Sequence, residues 1–145
     1  MRSSAPQRLA GTDREGCELT DTVLVADDDA DILRFVEVNL RLEGFRVVTA
    51  RDGADALDKA LTLRPDLVLL DVLMPGIDGL TVCARLRADA RGAAVPVIML
   101  SANFISADAE AARQAGADDF VVKPFDPGVL MAKVRGLLGG SDRVG

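Results

Sequence analysis

The sequence predicts an α/β protein, a doubly wound parallel sheet of five strands alternating with five helices. Two observations carry that prediction. Short apolar runs alternate along the chain with stretches of helical periodicity, and each connection is brief. Several runs, Leu67–Leu70 above all, are continuous in Leu and Val, as strands buried on both faces are. A third observation concerns the ends of the runs. Most stop at a polar residue, which puts chemistry on the carboxyl edge of the sheet, where open α/β folds bind ligands.

At 145 residues the chain suits one domain. Residues 1–21 are small and polar without periodicity and read as a disordered tail; residues 140–145 read as a short flexible end, leaving 22–139 as the folded unit. Val23–Ala26 is the first strand. The helix after it carries Ile32, Phe35, Val36 and Leu40 on its apolar side and stops at Gly44. Phe45–Ala50, interrupted by Arg46, suits an edge strand. Asp52 caps a helix with Ala56, Leu57, Ala60 and Leu61 inward, closed by Pro65.

Leu67–Leu70 then runs into Asp71 and a Pro- and Gly-rich turn. Asp78 opens a helix with Leu80, Cys83 and Leu86 on one side, and Cys83 reads as a small core residue. Val95–Leu100 is the fourth strand, ending at Ser101. Ser106 caps a helix over 107–115 that ends at Gly116. Phe120–Val122 ends at Lys123 and Pro124, and Asp126-Pro127 starts a last helix lined by Leu130, Val134 and Leu138 and stopped by Gly139-Gly140.

Composition excludes several functions. The chain has no histidine, which removes His-based triads and His metal sites. A net charge of −6 without a Lys/Arg stripe argues against nucleic-acid binding. No span has membrane length and no secretory signal follows Arg2. Cys17 and Cys83 therefore read as unpaired thiols in a reducing cytoplasm.

The strand ends collect Asp27 and Asp28, Asp71, Ser101 and Lys123. If the first and third strands are neighbours, three carboxylates converge, and like charges so close repel unless a cation joins them. One lysine is not enough, and an all-oxygen, His-free site favours Mg²⁺ or Mn²⁺. An EF-hand reading of the acidic run fails, because Ile32 stands where glycine is needed and Val38 where the bidentate glutamate belongs. Asp29 and Asp31 read as ordinary acids at a helix start. A carboxylate beside a metal, a hydroxyl and an ammonium is a set suited to accepting a phosphoryl group.

Four motifs, Val-Leu-Val-Ala-Asp-Asp-Asp at 23–29, Leu-Leu-Asp-Val-Leu-Met-Pro-Gly-Ile-Asp-Gly at 69–79, Val-Ile-Met-Leu-Ser-Ala at 97–102 and Gly-Ala-Asp-Asp-Phe-Val-Val-Lys-Pro-Phe at 116–125, resemble in content and order the receiver domain of two-component response regulators. The resemblance implies a flavodoxin-like sheet of order 2-1-3-4-5. It implies Asp71 as phosphoacceptor from a phosphohistidine on a sensor histidine kinase or phosphotransfer protein. Mg²⁺ would be held by Asp28, Asp71 and the Leu73 carbonyl, with Asp27 acting through a coordinated water. Ser101 takes the switch hydroxyl position, Lys123 contacts the phosphoryl group, and the Lys123–Pro124 bond is expected to be cis. Phe120 stands at the aromatic switch position, where the family often has tyrosine, so no hydroxyl is offered there. Leu73 and Asn103 would tune the lifetime of the phosphoryl group.

The readout implied is a surface of the fourth helix, fifth strand and fifth helix acting on a protein target, with a phosphorylation-linked dimer among the oligomeric states left open. The expected protein is a single-domain signalling phosphoacceptor, an enzyme only toward its own phosphorylation. Two other readings stay open: a small aspartyl-phosphate phosphatase with Asp27 as nucleophile and Asp29 as acid/base, and a phosphorylation-independent binding module.

Overall fold

A computed structural model describes residues 21–102 and 106–142. The expectations for the tail and Cys17, for Asn103 and for the Ser106 cap lie outside what is described. The sheet has five parallel strands: β1 (Thr22–Ala26), β2 (Arg46–Ala50), β3 (Leu67–Asp71), β4 (Val97–Ser101) and β5 (Asp119–Val122), in the order β2-β1-β3-β4-β5. The helices are α1 (Ala30–Leu42), α2 (Gly53–Leu63), α3 (Gly79–Ala88), α4 (Ser106–Ala115) and α5 (Pro127–Asp142). β2 lies at an edge, and its burial is partial as its mixed sequence predicts. Among the described residues no helix is long and apolar enough to cross a membrane.

Strand side chains alternate between two cores. Leu24, Ala26, Val68, Leu70 and Met99 face α2, α3 and α4, with Ala56, Ala60, Val82, Cys83 and Leu86 opposite them. Val23, Val25, Leu67, Leu69, Ile98 and Leu100 face α1 and α5, with Leu33, Val36, Leu40, Leu130 and Val134 opposite. Carboxylates start the helices. Asp29 accepts from the backbone N–H groups of Asp31 and Ile32, Asp52 from Asp55, Asp78 from Thr81, and Asp126 from Val129.

The structure corrects the sequence reading in four places. α1 buries Leu33 rather than Phe35, which is 42% exposed and lies against the ring of Phe125 at 6.2 Å between centroids. Val82 joins the inward face of α3. β4 begins at Val97, and the Pro96 carbonyl before it accepts from Val68. α5 runs through Gly139-Gly140 to Asp142. Glycine costs a helix only about 1 kcal/mol relative to alanine, which weakens a last turn without ending it.

Candidate functional site

The register sets the site. Ala26 is level with Leu70, so Asp27 emerges beside Asp71. Asp71 pairs with Leu100 and Ser101 with Val122, so Ser101 and Lys123 each follow one step along the same edge. Backbone bonds continue past the strand ends and hold these residues in place: Asp27 N–H to Ala50 O (3.1 Å), Val72 N–H to Leu100 O (2.8 Å) and Lys123 N–H to Ser101 O (2.7 Å). The Lys123–Pro124 bond is cis.

Asp27, Asp28 and Asp71 each present a carboxylate oxygen within 4.8 Å of the other two. Asp27 is fully buried, Asp71 is 5% exposed, and Asp28 is exposed. Both oxygens of Asp27 are engaged: Oδ1 accepts from Asp29 N–H at 2.9 Å and Oδ2 from Lys123 Nζ at 2.7 Å. The same ammonium reaches Asp71 Oδ1 at a longer 3.1 Å. Burial, and then the charge of Asp27, push the Asp71 carboxyl from 3.8 up to about 6, against the pull of Lys123. Burial would lower Lys123, but Asp27, by hydrogen bond and charge, and then Asp71 outweigh it and hold the ammonium above its ordinary value. Lys123 is thus spent first on Asp27, its nearer partner, and Asp71 keeps much of its repulsion.

Three carboxylates around one ammonium leave negative charge in excess. An all-oxygen donor set of this kind fits a hard divalent cation such as Mg²⁺. Ser101 is buried and follows Leu100, the residue paired with Asp71. Leu73, two residues past Asp71, has a 66% exposed side chain. Phe120 is half-buried and lines a half-open cavity of about 190 Å³ between α4 and β5 with Ala109, Ala112, Arg113, Ala117 and Asp118.

The family can now be stated. Residues 23–135 match the response regulator receiver domain. The chain belongs to the receiver domain family of response regulators. The receiver is 43% identical over 122 residues to the DNA-binding dual master transcriptional regulator RpaA of Synechocystis sp., covering 84% of this chain and 51% of that protein. It spans about half the length of the curated relatives it matches. A putative response regulator from Chloroflexus aurantiacus superposes with a TM-score of 0.80 at 37% identity, over 83% of this chain and 98% of that one. The receiver domain of sensor histidine kinase PA1611 from Pseudomonas aeruginosa, solved with a magnesium ion coordinated in its active-site cleft, gives 0.78 at 32% identity, over 83% and 98%.

Two glycines beside the receiver's site, Gly53 and Gly79, have no role assigned by the sequence alone. A Cβ on Gly79 would lie 2.1 Å from the Asp71 carbonyl oxygen, and Gly79 N–H donates to Val72 O at 2.8 Å. A Cβ on Gly53 would meet the Ile77 carbonyl. The available signal is glycine at the first position of a helix, directly after an aspartate cap, where alanine would serve the helix better.

Proposed function

We propose that this receiver accepts a phosphoryl group on Asp71 from a phosphohistidine of a sensor histidine kinase or phosphotransfer protein, in a Mg²⁺-dependent reaction. The supporting observation is the charge imbalance: Asp71 is buried beside Asp27, and Lys123 is shared between them. With its pKa near 6, Asp71 is largely ionised at neutral pH and able to attack. Its oxygen forms a bond to phosphorus as the phosphorus–nitrogen bond to the partner's imidazole breaks, and the released imidazole takes the electron pair and a proton from solvent. Lys123 offsets charge on the transferred oxygens, and the Ser101 hydroxyl donates to one of them.

Asp28, Asp71 and the Leu73 carbonyl would hold Mg²⁺ (or Mn²⁺), with Asp27 contributing through a water. When bound, the cation supplies neutralising charge to the phosphoryl oxygens. The receiver turns over no external substrate, and water later returns Asp71 to its free form. Against the phosphatase alternative stand the family of residues 23–135 and the use of Asp29 Oδ1 as the cap of α1.

The added charge of about −1.5 to −2 draws Ser101 toward Asp71 and lets Phe120 turn inward, which remodels the α4–β5–α5 face read by a downstream protein. The cavity beside Phe120 and the alanine face of α4 support that motion. We assign the receiver to the cytoplasm, in keeping with the unpaired thiol of Cys83. We assign no nucleic-acid surface to it, since its balance is acidic.

Incubation with acetyl phosphate and Mg²⁺ tests the assignment. Wild-type protein should take up one stable label, Asp71→Asn none, and Asp27→Asn should keep it at a reduced rate. Label that follows Asp27 instead, or steady turnover of phosphomonoesters, would overturn the reading.

A further inference from the structure

The loop after Asp71 rests on a glycine from a different turn. Gly53 is the first residue of α2, and a Cβ there would lie 1.8 Å from the Ile77 carbonyl oxygen and 2.7 Å from its carbon. The bare Cα of Gly53 therefore lies directly against the Ile77 backbone, where no side chain fits. Backbone conformation is not what demands glycine here: the positive-φ glycines are Gly44, Gly76 and Gly116. A helix by itself would prefer alanine at this position. Close approach is the remaining reason.

Burial decides which partner would yield to an added methyl group. α2 is held by Leu57 and Leu61 packed against the core, with Ala56 and Ala60 buried in it, and by the Asp52 cap. Leu73, Pro75 and Gly76 of the loop are exposed. The ends of the loop are fixed, since Gly79 N–H closes onto Val72 O at 2.8 Å. What remains adjustable is the exposed backbone at Leu73, Pro75 and Gly76, on either side of the buried Met74.

We propose that Gly53 is a positioning residue for the phosphorylation site: it is the stop that sets where the 72–78 loop, and with it the Leu73 carbonyl, stands relative to Asp71 and Asp28. This rests on the Mg²⁺-dependent reading above. Gly53 acts only through the loop and touches neither the phosphoryl group nor the cation.

The test compares Gly53→Ala with Ala60→Gly, which loosens α2 from its core side and leaves the loop contact intact. Gly53→Ala should shift the amide resonances of 72–78 in metal-free protein and raise the Mg²⁺ Kd, measured by calorimetry, about tenfold. Labelling of Asp71 at saturating Mg²⁺ should stay within about twofold of wild type, because binding rather than the transfer step is lost. Ala60→Gly should melt earlier with its Mg²⁺ Kd unchanged. Ile77→Gly adds no atom, keeps the backbone carbonyl and frees the loop to shift away from Gly53, so it should weaken Mg²⁺ in the same direction even if Gly53→Ala fails to fold. An unchanged Kd in either loop-contact variant, or resonance shifts confined to α2, would overturn the proposal. Wild-type protein that takes no label would remove the functional reading alone; the metal-free resonances would still decide whether Gly53 sets the loop.

Discussion

The receiver holds two clusters in which one cation sits among several oxygens, and they are built on opposite terms. At the carboxyl edge, Lys123 faces Asp27 and Asp71 with Asp28 nearby, and negative charge is in excess. At the amino edge, Arg87 of α3 is saturated. Its guanidinium donates to the carbonyls of Val95 (2.6 Å), Gly116 (2.9 Å) and Gly92 (3.0 Å) and to Asp118 Oδ2 (3.0 Å), which also accepts from Val97 N–H (2.8 Å). One cluster leaves a carboxyl with a raised pKa beside excess negative charge, and the other spends its cation on backbone carbonyls and one carboxylate. Unbalanced charge marks the edge that does chemistry, and completed hydrogen bonding marks the edge that holds the fold.

The largest effect expected from breaking that contrast is on stability. Arg87→Met removes the donor from the carbonyls of Gly92, Ala93, Val95 and Gly116 and one of the two donors to Asp118 Oδ2, and should cost about 3 kcal/mol, read from the urea midpoint. Labelling of Asp71 in the folded variant should match wild type. A variant that is folded but no longer labelled would mean that the two edges are coupled and the contrast is false.

The same contrast explains what the sequence makes legible. The rim could be read because each of its residues ends an apolar run, and a parallel register brings such ends together. Asp27, Asp71, Ser101 and Lys123 stand accordingly. Arg87 could not be read. It looks like any basic residue in a helix's last turn, and its partners Gly116 and Asp118 come from about thirty residues away. The same limit hides Gly53, whose reason is Ile77. Periodicity in α1 admits both Leu33 and Phe35 beside Val36 and Leu40, and the choice falls to Phe125, which draws Phe35 sideways. Local signals fix where elements begin and which face is apolar. Contacts between distant segments fix the rest.

A second effect sharpens the charge imbalance itself. The Asp71 carboxyl is raised from 3.8 to about 6 in the folded state, so the native protein binds this proton more tightly than the unfolded chain. The stabilisation it lends is complete below pH 3.8 and is lost as pH rises through 6. In chelator-treated protein, Asp71→Asn should therefore gain stability over wild type at pH 8, by roughly 3 kcal/mol, and the gain should shrink toward zero below pH 4. Chemical denaturation of both proteins across pH 4–8 measures it. A pH-independent difference would mean that Lys123 already balances the site.

The smallest effect concerns how each edge holds its helices. α1 buries Leu33, Val36 and Leu40, whereas among the described side chains of α4 only Ala112 is fully buried, with a cavity of about 190 Å³ beside it. An alanine buries too little apolar area to anchor a helix. What fixes α4 is then its carboxyl end, where the Gly116 carbonyl accepts from Arg87 and a Cβ on Gly116 would press on Arg87 Cγ at 2.6 Å. The amides of 109–115 should exchange about tenfold faster than those of 33–40, a difference of ~1.4 kcal/mol in opening free energy. Arg87→Met should widen that gap, because it releases the carboxyl end of α4 and leaves α1 untouched. Equal protection of the two helices in wild type would show that α4 is anchored as firmly as α1, and the switch face would then need a different moving part.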